Sequence, residues 1–316
     1  MNLRRQLQQR ARLLGGIRQF FAEHEVLEVC TPILSQAGNS DPNIDSFSTS
    51  YHGPTSGGPA QRWLRTSPEF FHKRLLAGGS GDIFEIAAVF RDGECGTRHN
   101  PEFTLLEWYR VGFDQHRLMD EVEALLQFAA ALFDRPCSIC QRLSYQQLFQ
   151  TYAGIDALSA SMAELRALLK DYSIELSGLG RDDLLDLIRT HLIEPQLHDQ
   201  NLLVYDFPAS QAALARISVV DARVPERFEL YLGPREIANG YHELLDADEQ
   251  RRRFEADLAM RRARGSVLPA LDENLLAALP QMPPCAGVAM GVDRLLQWLI
   301  GAERIDAVLA FPFAKA

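Results

Sequence analysis

The sequence contains no run of about 18 apolar residues, the length a helix needs to cross a bilayer, so no membrane-spanning helix is expected. Five cysteines in 316 residues are few and odd in number. That excludes a disulfide scaffold and points to a reducing, cytoplasmic setting. A basic surplus is also missing: 32 Lys and Arg face 42 Asp and Glu, for a net charge of −10. This counts against tRNA or DNA as the main partner, although a local basic groove stays possible. There is no internal repeat and no low-complexity tail. The basic stretch Met1 to Arg12 has no apolar segment behind it and does not read as a signal peptide. Cys137-Ser-Ile-Cys140 has no second ligand pair at zinc-binding spacing.

What is there is enough for a sizeable core, since 47% of residues are hydrophobic. Leu3, Leu7, Leu14, Ile17 and Phe21 recur at helical spacing and predict a first helix. Val26 to Val29 is short and extended. Residues 36–61 are rich in Gly, Pro, Ser, Asn and Asp and predict loops and short strands. Ser67-Pro68-Glu69 opens a helix to about Ala77, with serine as cap and proline in the first turn. Strands are predicted over 83–91, 103–111, 202–206, 215–220 and 285–292, and a hairpin over 227–232 and 235–240. Helices are predicted over 118–133, 246–264 and 293–301, with a small helical insertion at about 144–200. Strands and helices without regular βαβ alternation predict an α+β fold.

Side chains two apart on a strand share a face. Glu85, Ala87, Val89 and Arg91 group together on one strand, and Phe103, Leu105, Glu107 and Tyr109 on the next. These are charged and aromatic groups where an ordinary core would hold aliphatics; parity alone also fits a solvent-facing sheet surface. If Gly233-Pro234 is a two-residue turn, Glu236 lies opposite Tyr231 and diagonal to Glu229, roughly 7–8 Å away at Cα. Two such carboxylates suit magnesium, or are simply solvated on an edge. The run Cys285-Ala-Gly287-Val-Ala289-Met-Gly291-Val-Asp293-Arg294 lets a ligand approach the backbone closely and ends on a guanidinium that can stack on a base. On the helix over 246–264, Asp248–Arg252, Glu249–Arg253 and Asp257–Arg261 are spaced as i,i+4 pairs and predict a solvated face rather than a docking patch.

Taken together, Phe90-Arg91-x-x-Glu94, Arg98-His99-Asn100-Pro101-Glu102-Phe103 and the Gly-x-Ala-x-Gly-x-Asp-Arg run resemble motifs two and three of class II aminoacyl-tRNA synthetases. Leu27 to Pro32 resembles motif one. His99-Asn-Pro-Glu-Phe-Thr104 and Arg227-Phe-Glu-Leu…Arg235-Glu-Ile-Ala-Asn-Gly-Tyr-His-Glu243-Leu are similar to the lysyl-tRNA synthetase subgroup. The resemblance spans almost the whole chain. It implies one catalytic domain over 1–316 with a mixed, mainly antiparallel sheet flanked by helices, and a homodimer formed through motif one.

The resemblance also implies roles. Arg91 grips the α-phosphate of ATP, Phe103 stacks on one face of adenine and Arg294 covers the other. Asp92, Gly93, His99, Asn100, Ile237 and Gly291 complete the ATP site. Glu229 and Glu236 are the implied magnesium ligands. Glu107, Tyr109, Asn239 and Glu243 are implied to hold the distal ammonium of a lysine. Glu69 and Glu85 are implied to lie near its other amino group, with Ser67, Pro68 and Ala289 as further substrate-binding residues. Strand parity fails for Asn239, which predicts a break near Gly240.

Three departures from the lysyl-tRNA synthetases refine this. Motif one begins within about thirty residues of the start, so no N-terminal OB anticodon-binding domain is expected. Ala289 stands where motif three has its middle glycine; its methyl crowds an α-amino group and favours one on the β-carbon. Gly93 takes the usual motif-two acid position, with Glu94 next to it. With these departures the chain resembles the elongation factor P–(R)-β-lysine ligases, which implies β-lysine or lysine as substrate, ATP as co-substrate and elongation factor P as acceptor. A minimal lysyl-tRNA synthetase, an inactive synthetase-like regulator and an asparagine-synthetase-like enzyme remain the alternatives on sequence alone.

Overall fold

The computed structural model describes residues 3–54 and 60–316. Residues 1–2 of the basic N-terminus and 55–59 of the loop-rich stretch lie outside the described residues. Helix α1 (Leu3–Glu23) buries Leu13, Ile17, Phe20 and Phe21, whereas Leu3 and Leu7 at the start of the expected stripe stay exposed. The chain continues through β1 (Leu27–Glu28), β2 (Leu34–Ser35), β3 (Ser48–Ser50), β4 (Gln61–Leu64) and α2 (Glu69–Ala77). Next come β5 (Ile83–Phe90), β6 (Glu102–Val111), α3 (Gln115–Leu132) and β7 (Gln141–Ser144). A helical segment follows, made of α4 (Tyr145–Ala153), α5 (Met162–Leu169) and α6 (Arg181–Ile188), with a π-helical turn at Arg189–Ile193. The last third holds β8 (Asn201–Tyr205), β9 (Arg227–Leu232), β10 (Glu236–His242), α7 (Ala247–Ala263), α8 (Glu273–Ala278), β11 (Cys285–Gly291) and α9 (Val292–Leu299).

Several helix starts follow from local chemistry. Asp114 and Asp246 accept hydrogen bonds from backbone N–H groups three residues on, capping α3 and α7. Ser144 with Gln147, and Ser161 with Glu164, form capping boxes on α4 and α5. Gly154 ends α4 at φ 72°, where a side chain would be strained. For α2, Pro68 rather than Ser67 occupies the cap position; the Ser67 hydroxyl accepts from Glu69 N and donates to Glu107.

Eight strands form one sheet in the order β1-β5-β6-β11-β10-β9-β8-β7; the two outermost pairs are parallel and the five inner pairs antiparallel. A second, three-stranded sheet runs β2-β4-β3. One face of the large sheet packs on α1, α3 and α9 through Phe84, Leu106, Trp108, Phe228, Leu230, Val288 and Met290. Period-two alternation then sends Leu105, Glu107 and Tyr109 of β6, Arg227 and Glu229 of β9 and Gly287 and Ala289 of β11 to the opposite face. The helical segment has its own core, including Tyr145, Phe149, Leu165, Leu185 and Ile188, which packs on β8 and Tyr231.

Two expectations need correction. Residues 215–220 are not a strand: they make single bridges, Ala215 to Glu243 and Ile217 to Pro225, and leave Val219 and Val220 exposed, because no neighbouring strand runs alongside to pair with them. On α7 the expected Glu249–Arg253 pair forms, but the other two are rearranged. Arg252 and Arg253 both bond Glu249, while Arg261 is buried against Asp45 and the Asp41 carbonyl, and Asp257 accepts from Ser40. Helix α7 therefore packs on the loop around residues 40–45 instead of standing free.

Candidate active site

The free face of the large sheet floors a cleft of about 1010 Å³. Of the residues singled out from the sequence, Ser67, Glu69, Arg91, His99, Asn100, Phe103, Glu107, Tyr109, Glu229, Glu236, Ile237, Asn239, Glu243, Ala289, Gly291 and Arg294 line it. Pro68, Glu85, Asp92 and Gly93 do not. Glu94, and not Gly93, brings a motif-two carboxylate to the cleft, 3.6 Å from Arg91.

At one end lie the basic and aromatic groups. The Arg91 guanidinium sits 5.2 Å from the centre of the Phe103 ring. Arg294 donates to the Glu236 carbonyl at 2.9 Å and reaches His99 Nε2 at 2.7 Å. Burial and the nearby Arg294 charge push the His99 pKa down, which suits an acceptor for that guanidinium. Asn100 is engaged in structure: it donates to the Glu102 carbonyl and accepts from Phe313 N. Asp293 anchors this end by pairing with Arg10 and accepting from Thr104 N.

At the other end the acids converge. Glu107 accepts from Ser67 at 2.6 Å and from the Tyr109 hydroxyl at 2.9 Å. Register places Ala289 between Glu107 on β6 and Asn239 on β10. A Cβ on Gly287 would run into the Tyr109 ring and come within 2.8 Å of Glu243, so glycine there makes room for both. Glu243 and Glu69 share a lysine: Lys73 Nζ lies 2.7 Å from each. Burial pushes the Glu243 pKa up to about 8 and raises that of Glu69, with Lys73 pulling both back.

Glu85 departs from its expected role. It is buried behind the cleft, bonded by Arg65 at 2.9 Å, Thr31 at 2.7 Å and His72 at 3.0 Å. Burial opposes its charge, but hydrogen bonds from His72 and Thr31 and the charge of Arg65 hold its pKa down at about 2. A carboxylate this fully satisfied is a support for the pocket floor.

The hairpin has the expected start: Glu236 lies opposite Tyr231. A bulge between Glu236 and Ala238 then shifts the alternation, so Asn239 pairs with Glu229 and faces the cleft. The parity problem is therefore resolved at Ile237, not by a break at Gly240, and β10 runs on to His242. The two hairpin acids differ. Glu229 accepts from Arg227 and from the Tyr231 hydroxyl, with Arg189 at 3.9 Å. Arg227 and Arg189 outweigh burial and lower its pKa. Glu236 has no ion pair among the described residues, and burial together with Glu229 raises its pKa.

Comparison with known proteins identifies the family of the chain. Residues 1–315 match the family model of class II tRNA synthetases (D, K and N). The chain belongs to that family. Among relatives of this class II chain, the elongation factor P–(R)-β-lysine ligase of Pasteurella multocida is 47% identical over 310 residues, 97% of this chain and 94% of the relative. The proteins of the same name from Mannheimia succiniciproducens and Vibrio vulnificus are each 48% identical, covering 96% and 98% of the chain and 93% and 96% of the relatives.

Within this candidate site, sequence reasoning missed Lys73, His72, Arg65, Arg189 and Arg227. Two had a readable signal: Lys73 follows Glu69 at i,i+4 on a helix, and Arg227 shares a strand face with Glu229. Arg189 had none, because only the packing of the helical segment brings it to the hairpin.

Proposed function

We propose that this protein activates (R)-β-lysine as an adenylate with ATP and transfers it to a lysine side chain of elongation factor P. The observation that carries this is the convergence of Glu69, Glu107 and Glu243 beneath a cleft that also presents Arg91, Phe103 and Arg294. Among the described residues, Lys73 is the one lysine shared between Glu69 and Glu243, so three buried carboxylates exceed the ammonium charge beside them and a diamino acid supplies more. The relatives at 46–48% identity bear the ligase name, which supports the same substrates here.

In the first step a carboxylate oxygen of the amino acid attacks the α-phosphorus of ATP and pyrophosphate leaves. The carboxylate is already nucleophilic at neutral pH, so positioning and charge neutralisation by Arg91 do the work, with Phe103 and Arg294 holding adenine. In the second, the acceptor amine attacks the acyl carbon, the bond to AMP breaks and an amide forms. That amine, with a pKa near 10.4 in water, loses its proton before attack.

Glu236, free of ion pairs among the described residues, fits magnesium, which takes one or two carboxylates and completes its shell with phosphate oxygens. Glu236 would hold the ion, with Glu229 as the second carboxylate of the hairpin; an ion held there would neutralise phosphate charge. We further propose that the whole chain acts as one catalytic domain, that it is cytoplasmic, and that exposed Leu3, Leu7, Leu27, Ile33 and Leu34 around motif one form a homodimer. The net charge of −10 supports a protein acceptor over tRNA.

Mass spectrometry of elongation factor P after incubation with enzyme, ATP and either β-lysine or α-lysine tests the reaction. A mass increase of one lysyl residue, larger in yield with β-lysine, is expected. An unmodified acceptor alongside aminoacylated tRNA would refute it.

A further inference from the structure

Helix α2 carries Glu69 and Lys73 one turn apart, with Glu69 lining the cleft and Lys73 paired to it. Lys73 is fully buried, a rare state for lysine, and it does not line the cleft itself. Its ammonium contacts one oxygen of each acid: Oε1 of Glu69 and Oε2 of Glu243. The second Glu243 oxygen is turned toward Gly287 and Tyr109, into the space the missing glycine Cβ leaves. Around this pair stand Glu107 and Tyr109 from β6, His72 from α2, and Tyr241 and Cys285 from β10 and β11. Three carboxylates crowd one desolvated pocket, and without an internal cation they would repel and take up protons.

We propose that Lys73 is a positioning residue for amino-acid selection, orienting Glu69 and Glu243 from behind and easing their ionisation when substrate binds, so that their outer oxygens meet the substrate's amino groups. This rests on reading these acids as the substrate pocket. The ammonium is suited to the task because it is a compact point charge with three donors and can serve two carboxylates at once. Its own charge is secured in return: burial alone would strip the proton, but Glu243 and Glu69 raise its pKa. The pocket therefore contains a fixed cation that does not leave, and the substrate's ammonium groups add to it.

The test is pyrophosphate exchange with Lys73→Met, Lys73→Arg and, as a control on the pocket itself, Glu243→Gln, each checked for cooperative melting. With Lys73→Met, the KM for β-lysine is expected to rise roughly 10- to 100-fold while the KM for ATP stays within about threefold. Preference for β-lysine over norleucine falls in parallel. Raising the pH partly restores binding, because acids deprived of Lys73 hold their protons to higher pH. A folded Lys73→Met enzyme with unchanged KM and selectivity overturns the proposal. So does a joint rise in both KM values with no pH dependence, which marks a merely structural role. If Lys73→Met does not fold, Lys73→Arg decides: charge kept but point geometry lost raises the β-lysine KM alone, and an unchanged KM overturns the inference. If Glu243→Gln also leaves selectivity intact, the pocket assignment fails; if Glu243→Gln loses selectivity while Lys73→Met keeps it, only the role of Lys73 fails.

Discussion

Arg189 Nη1 lies 2.6 Å from the Tyr231 hydroxyl, and that hydroxyl in turn donates to Glu229. This bond fastens the helical segment between β7 and β8 to the hairpin that carries Glu229 and Glu236. The arginine comes from the π-helical turn that follows α6, a departure from regular helix of the kind found at functional sites.

Replacing Arg189 with Met removes one of the two guanidinium groups that hold Glu229 ionised. Arg227 remains, so at this hairpin the expected loss is that of the bond to Tyr231, about 1.5–3 kcal/mol, with the contacts of Arg189 to Asp186 and Glu194 lost as well. The sign with pH follows from the depressed Glu229 pKa: the stability it contributes is present above the ordinary glutamate range and lost as pH falls through its folded value. In the variant that acid limb moves to higher pH. Thermal melts between pH 3 and pH 7, taken as roughly spanning the carboxylate range, check this; superimposable curves for both proteins would contradict it.

Glu243→Ala is expected to abolish side-chain selectivity. Loss of one buried, charge-assisted contact of about 1.5–3 kcal/mol corresponds to roughly 10- to 150-fold in kcat/KM for the cationic substrate, with neutral amino acids little affected. Exchange assays with β-lysine and norleucine measure it. An alanine variant that still strongly prefers the cationic substrate refutes the assignment.

Burial raises the Glu243 pKa to about 8, so in the free enzyme below that pH it tends to carry a proton. The substrate ammonium favours the anion, and binding must then expel that proton. KM for β-lysine is expected to fall as pH rises toward 8, with up to about one proton released per substrate bound near pH 7. Calorimetry in buffers of different ionisation enthalpy counts the protons. Zero release at pH 7 with a flat KM profile would show that Glu243 is ionised beforehand.

Ala289→Gly is expected to improve use of α-lysine. The Ala289 methyl faces the space between Glu107 and Asn239. A single methyl group in such a pocket is worth roughly 10-fold in discrimination. Exchange rates with the two isomers give the ratio directly, and an unchanged ratio would dismiss the crowding explanation.

Much of the site was legible from the chain alone. Helical period located α1 and α3, and charge spacing located α7, since these depend on neighbours three and four residues away. Strand parity put Glu107 with Tyr109 on one face and the hydrophobic partners Leu106 and Trp108 on the other, as found. The motif order identified the class II framework, later matched over residues 1–315. Where parity misled, the cause was a single extra residue at Ile237, and a bulge of that kind leaves no fixed mark in hydrophobic pattern.

The sequence by itself determined which residue types reach the cleft, because alternation along a strand and spacing along a helix are local properties of the backbone. Only the tertiary structure decided how their charges are balanced. Glu85 looked like its neighbours in sequence, yet Arg65, Thr31 and His72 neutralise it behind the cleft. Glu229 and Glu236 looked equivalent, yet Arg189 and Arg227 separate their proton affinities. Glu243 gained Lys73 from a helix 170 residues away in the chain, as the spacing of the two residue numbers shows. Electrostatic balance depends on distance in space and on the loss of water, and chain order encodes neither.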